Sequence, residues 1–98
     1  MPISTKIEGK KIEIGCEGRF VASAVQELEE ELQKIPIDGL DEMVVNMAKT
    51  EYISSKGIRV IMNLFHRMNG KKVSVVHAND AVKEIFKITG LDQLIDVD

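Results

Sequence analysis

The side chains best able to do chemistry in this sequence are gathered between Tyr52 and Ile61, which reads Tyr-Ile-Ser-Ser-Lys-Gly-Ile-Arg-Val-Ile. Two hydroxyls (Ser54, Ser55), an ammonium (Lys56) and a position without a side chain (Gly57) fall where a strand end hands over to an amphipathic helix, and Arg59 follows. The unpaired first-turn amides of a helix and the positive end of its dipole favour anionic or hydrogen-bond-accepting partners. A hydroxyl there is also a natural acceptor for a phosphoryl group. Both chemistries belong to a surface that binds, and Ser54, Ser55, Lys56, Gly57 and Arg59 are the expected partner-binding residues. At a minimum the two serines cap the helix, a role in which serine contributes ~1 kcal/mol. Gly57 costs a helix interior about 1 kcal/mol relative to alanine, so close approach of a partner or packing within the domain must require a small residue.

Elsewhere the sequence offers a catalyst little. His66, His77 and Cys16 fall on different expected elements and lack the paired Cys or His spacing of a zinc site. No Gly-rich phosphate loop, His-Glu-x-x-His or nucleophile elbow is present. The expectation is a binding protein, not an enzyme, without metal or cofactor.

The elements that must position the Ser54–Arg59 stretch follow from periodicity. Ser4 to Glu8 and Lys11 to Phe20 read as two strands joined at Gly9-Lys10, because Ile12, Ile14 and Cys16 alternate with Lys11, Glu13, Gly15 and Glu17. Gly15 and Gly18 permit a bulge or a sharp exit at the far end. From Val21 to Ile35 the period becomes helical, with Val21, Ala24, Val25, Leu28, Leu32 and Ile35 on one side and mainly glutamates on the other, read as a solvated face. Pro36 and Gly39 end that helix.

Met43 to Ala48 is a short apolar run suited to a central strand covered on both faces, and Lys49 to Glu51 read as a turn. The helix from about Ser55 to Met68 places Ile58, Ile61, Met62, Phe65 and Met68 on one face and Arg59, Asn63, His66 and Arg67 opposite, with Val60 and Leu64 on a flank. That widened apolar arc implies contact with a sheet and a neighbouring helix, or an interaction surface. Lys72 to His77 is a further strand; a third helix follows with Asn79 as N-cap, Asp80 in its first turn and Gly90 at its left-handed end. Leu91 to Asp98 adds a short edge strand or a helical turn. Strand–helix–strand order dictates parallel, right-handed crossovers and a mixed α/β sheet.

Composition narrows the class. The 98 residues, 44% apolar and 30% charged, suit one soluble domain spanning 1–98. A chain this short buries only about 60–65% of its unfolded surface, leaving no room for a large cofactor inside. The formal charge of −3 arises from 16 acidic and 13 scattered basic residues, without the basic patch that nucleic-acid binding requires. One cysteine excludes an internal disulfide and fits a reducing compartment. No secretory signal and no apolar run of membrane-spanning length is seen, so a cytoplasmic location is expected.

Several separated blocks, in order and spacing, resemble one family. They are Glu17-Gly18-Arg19-Phe20, Met43-Val44-Val45-Asn46-Met47, the signature Tyr52 to Ile61, Gly70-Lys71-Lys72-Val73-Ser74-Val75-Val76, and Phe86-Lys87-Ile88-Thr89-Gly90-Leu91-Asp92. Together they are similar to the STAS domains (sulfate transporter and anti-sigma-factor antagonist), in particular the stand-alone bacterial anti-sigma-factor antagonists. The resemblance implies a STAS-like mixed sheet of four to five strands with three or more helices packed on it. It also implies a partner: an anti-sigma factor, usually a histidine-kinase-like ATPase and serine kinase, whose capture frees a sigma factor for transcription. In the family that kinase phosphorylates a serine at the helix start and so breaks the complex.

The signature usually reads Asp-Ser-Ser-Gly with the second serine as acceptor. Here the chain has Ser54-Ser55-Lys56-Gly57, so Lys56 takes the acceptor position and Ser54 the aspartate's. Lysine cannot accept a phosphate from a serine kinase, which leaves Ser55 and Ser54 as candidates, with Lys56 placed to pair with the phosphate. Asn46 and Val21 occupy two further positions often acidic in the family. The alternative is a constitutive STAS scaffold or interaction module of another signalling complex without phosphorylation. A third reading, a small-molecule or nucleotide sensor, has only the positive helix end to recommend it.

Overall fold

A computed structural model describes residues 3–20, 22–35 and 37–98. The elements among them run β1 (Ile3–Glu8), β2 (Lys11–Cys16), β3 (Gly18–Phe20), α1 (Ala22–Gln33), β4 (Glu42–Asn46), β5 (Thr50–Ile53), α2 (Ser55–Arg67), β6 (Lys72–Val76), α3 (Asp80–Thr89) and β7 (Asp96–Val97). Short 3-10 turns at Ile37–Gly39 and Leu91–Gln93 precede β4 and β7. The main sheet has the order β1-β2-β4-β6-β7, with β1 antiparallel to β2 and the remaining pairs parallel. This is the expected mixed sheet with three helices, and β4 is its central strand.

Register explains why the sheet has one dry face. Ile14, Val45 and Val75 lie side by side across β2, β4 and β6, as do Ile12, Met43 and Val73 in the next row. All six are 5% exposed or less and share one contiguous core with Leu28 and Leu32 of α1, Ile61 and Leu64 of α2, and Val82 and Phe86 of α3. Residues of the other parity point away from it. Glu8, Lys11, Glu42 and Lys72 form a row of alternating charge across four strands, and Val44, on that side, is 7% exposed yet lies outside the core cluster, so the expectation of a β4 covered on both faces holds for its helix-packed face alone.

Two further expectations are corrected. The strand expected over Lys11 to Phe20 is two strands: Gly18, at φ 76°, turns the chain out of the main sheet and donates its N–H to the Lys49 carbonyl at 2.8 Å. Lys49 to Glu51 is not simply a turn, because Thr50–Ile53 pairs in parallel with Gly18–Phe20 as a separate two-stranded ribbon. The burial of β5 is inside at both ends and outside in the middle, so it carries no alternating signal.

The helices lie close to expectation. The expected start of the first at Val21 and the Pro36 stop fall outside the described residues. In α2 the fully buried line is shifted towards Val60 and Leu64, at 4% and 1% exposure, while Met62 and Phe65 are only partly buried. The wide apolar arc is thus used up by the sheet on one side and by α1, which packs beside α2, on the other. Glu27 of α1 is more than a solvated residue, since its carboxylate accepts the Ile3 N–H at 3.0 Å and ties β1 to the helix. Asn79 caps α3 through Val82 N–H and Gly90 closes it at φ 78°, as expected.

Candidate functional site

The stretch singled out by sequence sits where β5 ends and α2 begins. Ser54 has the extended backbone of an N-cap (φ −90°, ψ 172°), and its Oγ accepts the Gly57 N–H at 3.2 Å. Its carbonyl accepts the Ile58 N–H at 2.9 Å. With Ser54 as the cap, Ser55 becomes the first residue of the helix, which carries no acidic side chain in its first turn.

Ser55, Lys56 and Arg59 are exposed, Ser54 is half-buried, and Gly57 is buried. The corner therefore presents one fully exposed hydroxyl, a second half-buried one and two cations. Gly57 stands apart from them, buried within the first turn.

What holds the corner is a residue that sequence reasoning passed over. Thr50, 3% exposed, donates from Oγ1 to the Cys16 carbonyl at 2.7 Å, donates from its N–H to the Met47 carbonyl at 3.0 Å, and accepts at its carbonyl from Asn79 Nδ2 at 3.1 Å. It thereby links β5 to the end of β2, to the end of β4 and to the start of α3. Asn79 bonds in two directions, because its Oδ1 also accepts the Val82 N–H at 2.8 Å. Asn46, one of the positions often acidic in the resembled pattern, uses its Oδ1 to accept the Ala48 N–H at 3.0 Å, shaping the turn into β5. Tyr52, 45% exposed on β5, carries the Arg19 guanidinium over its ring at 5.0 Å from the centroid.

The remaining titratable groups do not assemble. Cys16 is buried and burial pushes its thiol from 9.0 to about 12, so it is neutral and unreactive. His66 is exposed with its ring edge-on to Phe65 at 5.7 Å, and His77 is exposed at the end of β6 in a left-handed conformation, φ 61°. Among the described residues no three His, Cys, Asp or Glu side chains are grouped so as to hold a metal ion. Nor is any helix among them long and apolar enough to cross a membrane.

A mixed sheet backed on one face by three helices, with a capped helix start offering a hydroxyl, defines a small binding domain. The STAS domain family model matches residues 3–98, and the chain belongs to that family. It is 29% identical over 97 residues to the anti-sigma-B factor antagonist of Staphylococcus aureus, covering 97% of this chain and 90% of that protein. The crystal structure of an anti-sigma factor antagonist from Mycobacterium paratuberculosis superposes with a TM-score of 0.84 at 16% identity, covering 97% of this chain and 82% of that one. The Bacillus cell fate determinant SpoIIAA in its phosphorylated form gives a TM-score of 0.77 at 11% identity, over 98% of this chain and 90% of that one. At such identities the solved structures speak for the fold.

Proposed function

We propose that this chain is an anti-sigma-factor antagonist, a cytoplasmic regulatory protein that binds an anti-sigma factor through the corner formed by Ser54, Ser55, Lys56 and Arg59 and thereby releases a sigma factor. The observation that carries this reading is the joint exposure of Ser55, Lys56 and Arg59 over the first two turns of α2, in a chain whose relatives over nearly full length are anti-sigma-B factor antagonists. The activity is occupancy of a surface rather than catalysis. Ser55 is the phospho-acceptor of this reading: it is exposed at a helix start, where a phosphate is electrostatically favoured yet obstructs a docked partner.

One observation favours a second reading. Lys56 fills the usual acceptor position, which suits a constitutive interaction module without a phospho-switch. Two measurements separate the possibilities. Binding of the purified chain to the anti-sigma factor of its own organism tests the antagonist reading, and absence of a complex overturns it. Incubation of that complex with ATP, followed by intact-mass analysis, tests the switch: one added phosphate removes the constitutive reading, and an unchanged mass removes the switch.

A further inference from the structure

Neighbouring helices α1 and α2 carry opposite charge. Over Ala22–Gln33 the charged residues are Glu27, Glu29, Glu30 and Glu31 with no lysine or arginine, whereas Ser55–Arg67 holds Lys56, Arg59 and Arg67 with no aspartate or glutamate. An open groove of about 410 Å³ runs between the two helices. The buried Val25 and Val60 close its floor, Gln26 and Glu29 stand on one wall, and Lys56, Arg59 and Asn63 stand on the other. The opposite charges nevertheless do not neutralise one another. Among the described residues the ion pairs are Lys6–Glu8 and Lys34–Glu31, and neither Lys56 nor Arg59 has a carboxylate within 4.0 Å.

Lys56 also runs against the local electrostatics. The first turn of a helix prefers acids because its exposed amides and dipole are positive there, and α2 has Lys56 and no acid in that turn, with Arg59 following at the start of the second. A departure from a local rule without a compensating intramolecular contact is expected where a surface serves something outside the fold. Here the missing element is negative charge facing Lys56 and Arg59.

Resting on the antagonist reading, we infer that the α1–α2 groove receives an acidic segment of the partner protein, with carboxylates on Lys56 and Arg59. Such complementarity acts mainly on the rate and selectivity of encounter. Glu29, on the far wall, repels the same segment and limits which acidic sequences fit.

The test compares the full chain with the double variant Lys56→Glu/Arg59→Glu, in binding to the anti-sigma factor and, separately, to two synthetic amphipathic peptides of identical pattern, one built from Glu and Leu and one from Lys and Leu. Backbone amide NMR shifts report where each peptide lands. Expected are a loss of about tenfold or more in anti-sigma affinity for the double variant, a steep weakening of wild-type binding with salt, and shifts at Val25, Lys56, Arg59, Val60 and Asn63 caused by the acidic peptide alone. Glu29→Gln should tighten binding.

Lys56→Glu puts an acid into the first turn, so thermal stability should hold or rise while binding falls, which distinguishes the effect from misfolding. Anti-sigma binding undiminished in the double variant, or a basic peptide occupying the groove equally well, overturns the inference while leaving the antagonist reading intact. A wild-type chain that binds no anti-sigma factor defeats the antagonist reading, and the inference then falls with it unless the acidic peptide still finds the groove. Self-association of the chain alone that Lys56→Glu abolishes also overturns it, assigning the groove to a second copy.

Discussion

The Thr50 hydroxyl donates to the Cys16 carbonyl at 2.7 Å across a separation of 34 residues, and both residues are buried. This bond stands where the main sheet releases the chain and the two-stranded ribbon takes it up. Thr50→Val keeps the shape and removes the donor, leaving a buried carbonyl unmatched at a cost of about 1–3 kcal/mol. Thr50→Ser keeps the donor and should cost less. Urea unfolding of the two variants checks the order, and equal losses would assign the effect to packing of the methyl group.

Ser54 closes the first turn of α2 through the Gly57 N–H. Replacement by alanine removes the cap at a cost of ~1 kcal/mol, and Ser54→Asp, itself a good cap with favourable charge at the helix start, should restore it. Denaturation midpoints of the three proteins decide. A Ser54→Asp protein no more stable than Ser54→Ala would contradict the capping role.

Ser55 is the more exposed of the two hydroxyls at this corner. Treatment with the cognate kinase and ATP should add one phosphate, lost in Ser55→Ala and retained in Ser54→Ala, as read by intact mass. Ser55→Asp should weaken the complex with the anti-sigma factor while leaving the thermal midpoint near wild type, because an acid is welcome in a first turn. Retention of the phosphate by the Ser55→Ala protein would move the acceptor elsewhere.

Burial raises the Cys16 thiol from 9.0 to about 12. Below the unfolded value both states are protonated and the thiol's contribution to stability is whole. Between the two values the unfolded chain ionises and the folded one does not, so that contribution is lost as pH rises. The stability of the natural chain relative to Cys16→Ala should therefore shrink from about pH 9 upwards, by at most about 1.4 kcal/mol per pH unit. Parallel stability curves would show that the thiol is already ionised or exposed in the fold. A thiol reagent at neutral pH should react rapidly only with the denatured chain.

How far the sequence foretold these features depended on whether their signals were local. Ser54, Asn79 and Gly90 announced helix ends because capping is a matter of three or four consecutive residues. The central place of β4 was readable from its unbroken apolar run. Strand β5 was not, since four residues buried only at their ends have no period to detect. Thr50 owes its importance to Cys16 and Asn79, 34 and 29 residues away, and no local pattern distinguishes it from an ordinary turn threonine.

Helical geometry alone put Val60 and Leu64 on a flank, and the packing of α1 beside α2 made them core. In the candidate site the exposed trio Ser55, Lys56 and Arg59 was visible from side-chain chemistry and helix position. The burial of Gly57, and the groove that separates Lys56 and Arg59 from the glutamates of α1, depend on how the two helices lie together.

The sheet's helix-free side has its own consequence. At one edge of the sheet, β1 faces β2 on that side with charged neighbours of opposite sign, Glu8 beside Lys11 and Lys6 beside Glu13, while Lys6 and Glu8 pair along β1 itself. Concentrated electrolyte mutes those attractions and spares the interior. Under such conditions the domain should begin to fray at its first strand while the Ser55 corner, anchored by Thr50 in the dry half, still keeps its shape.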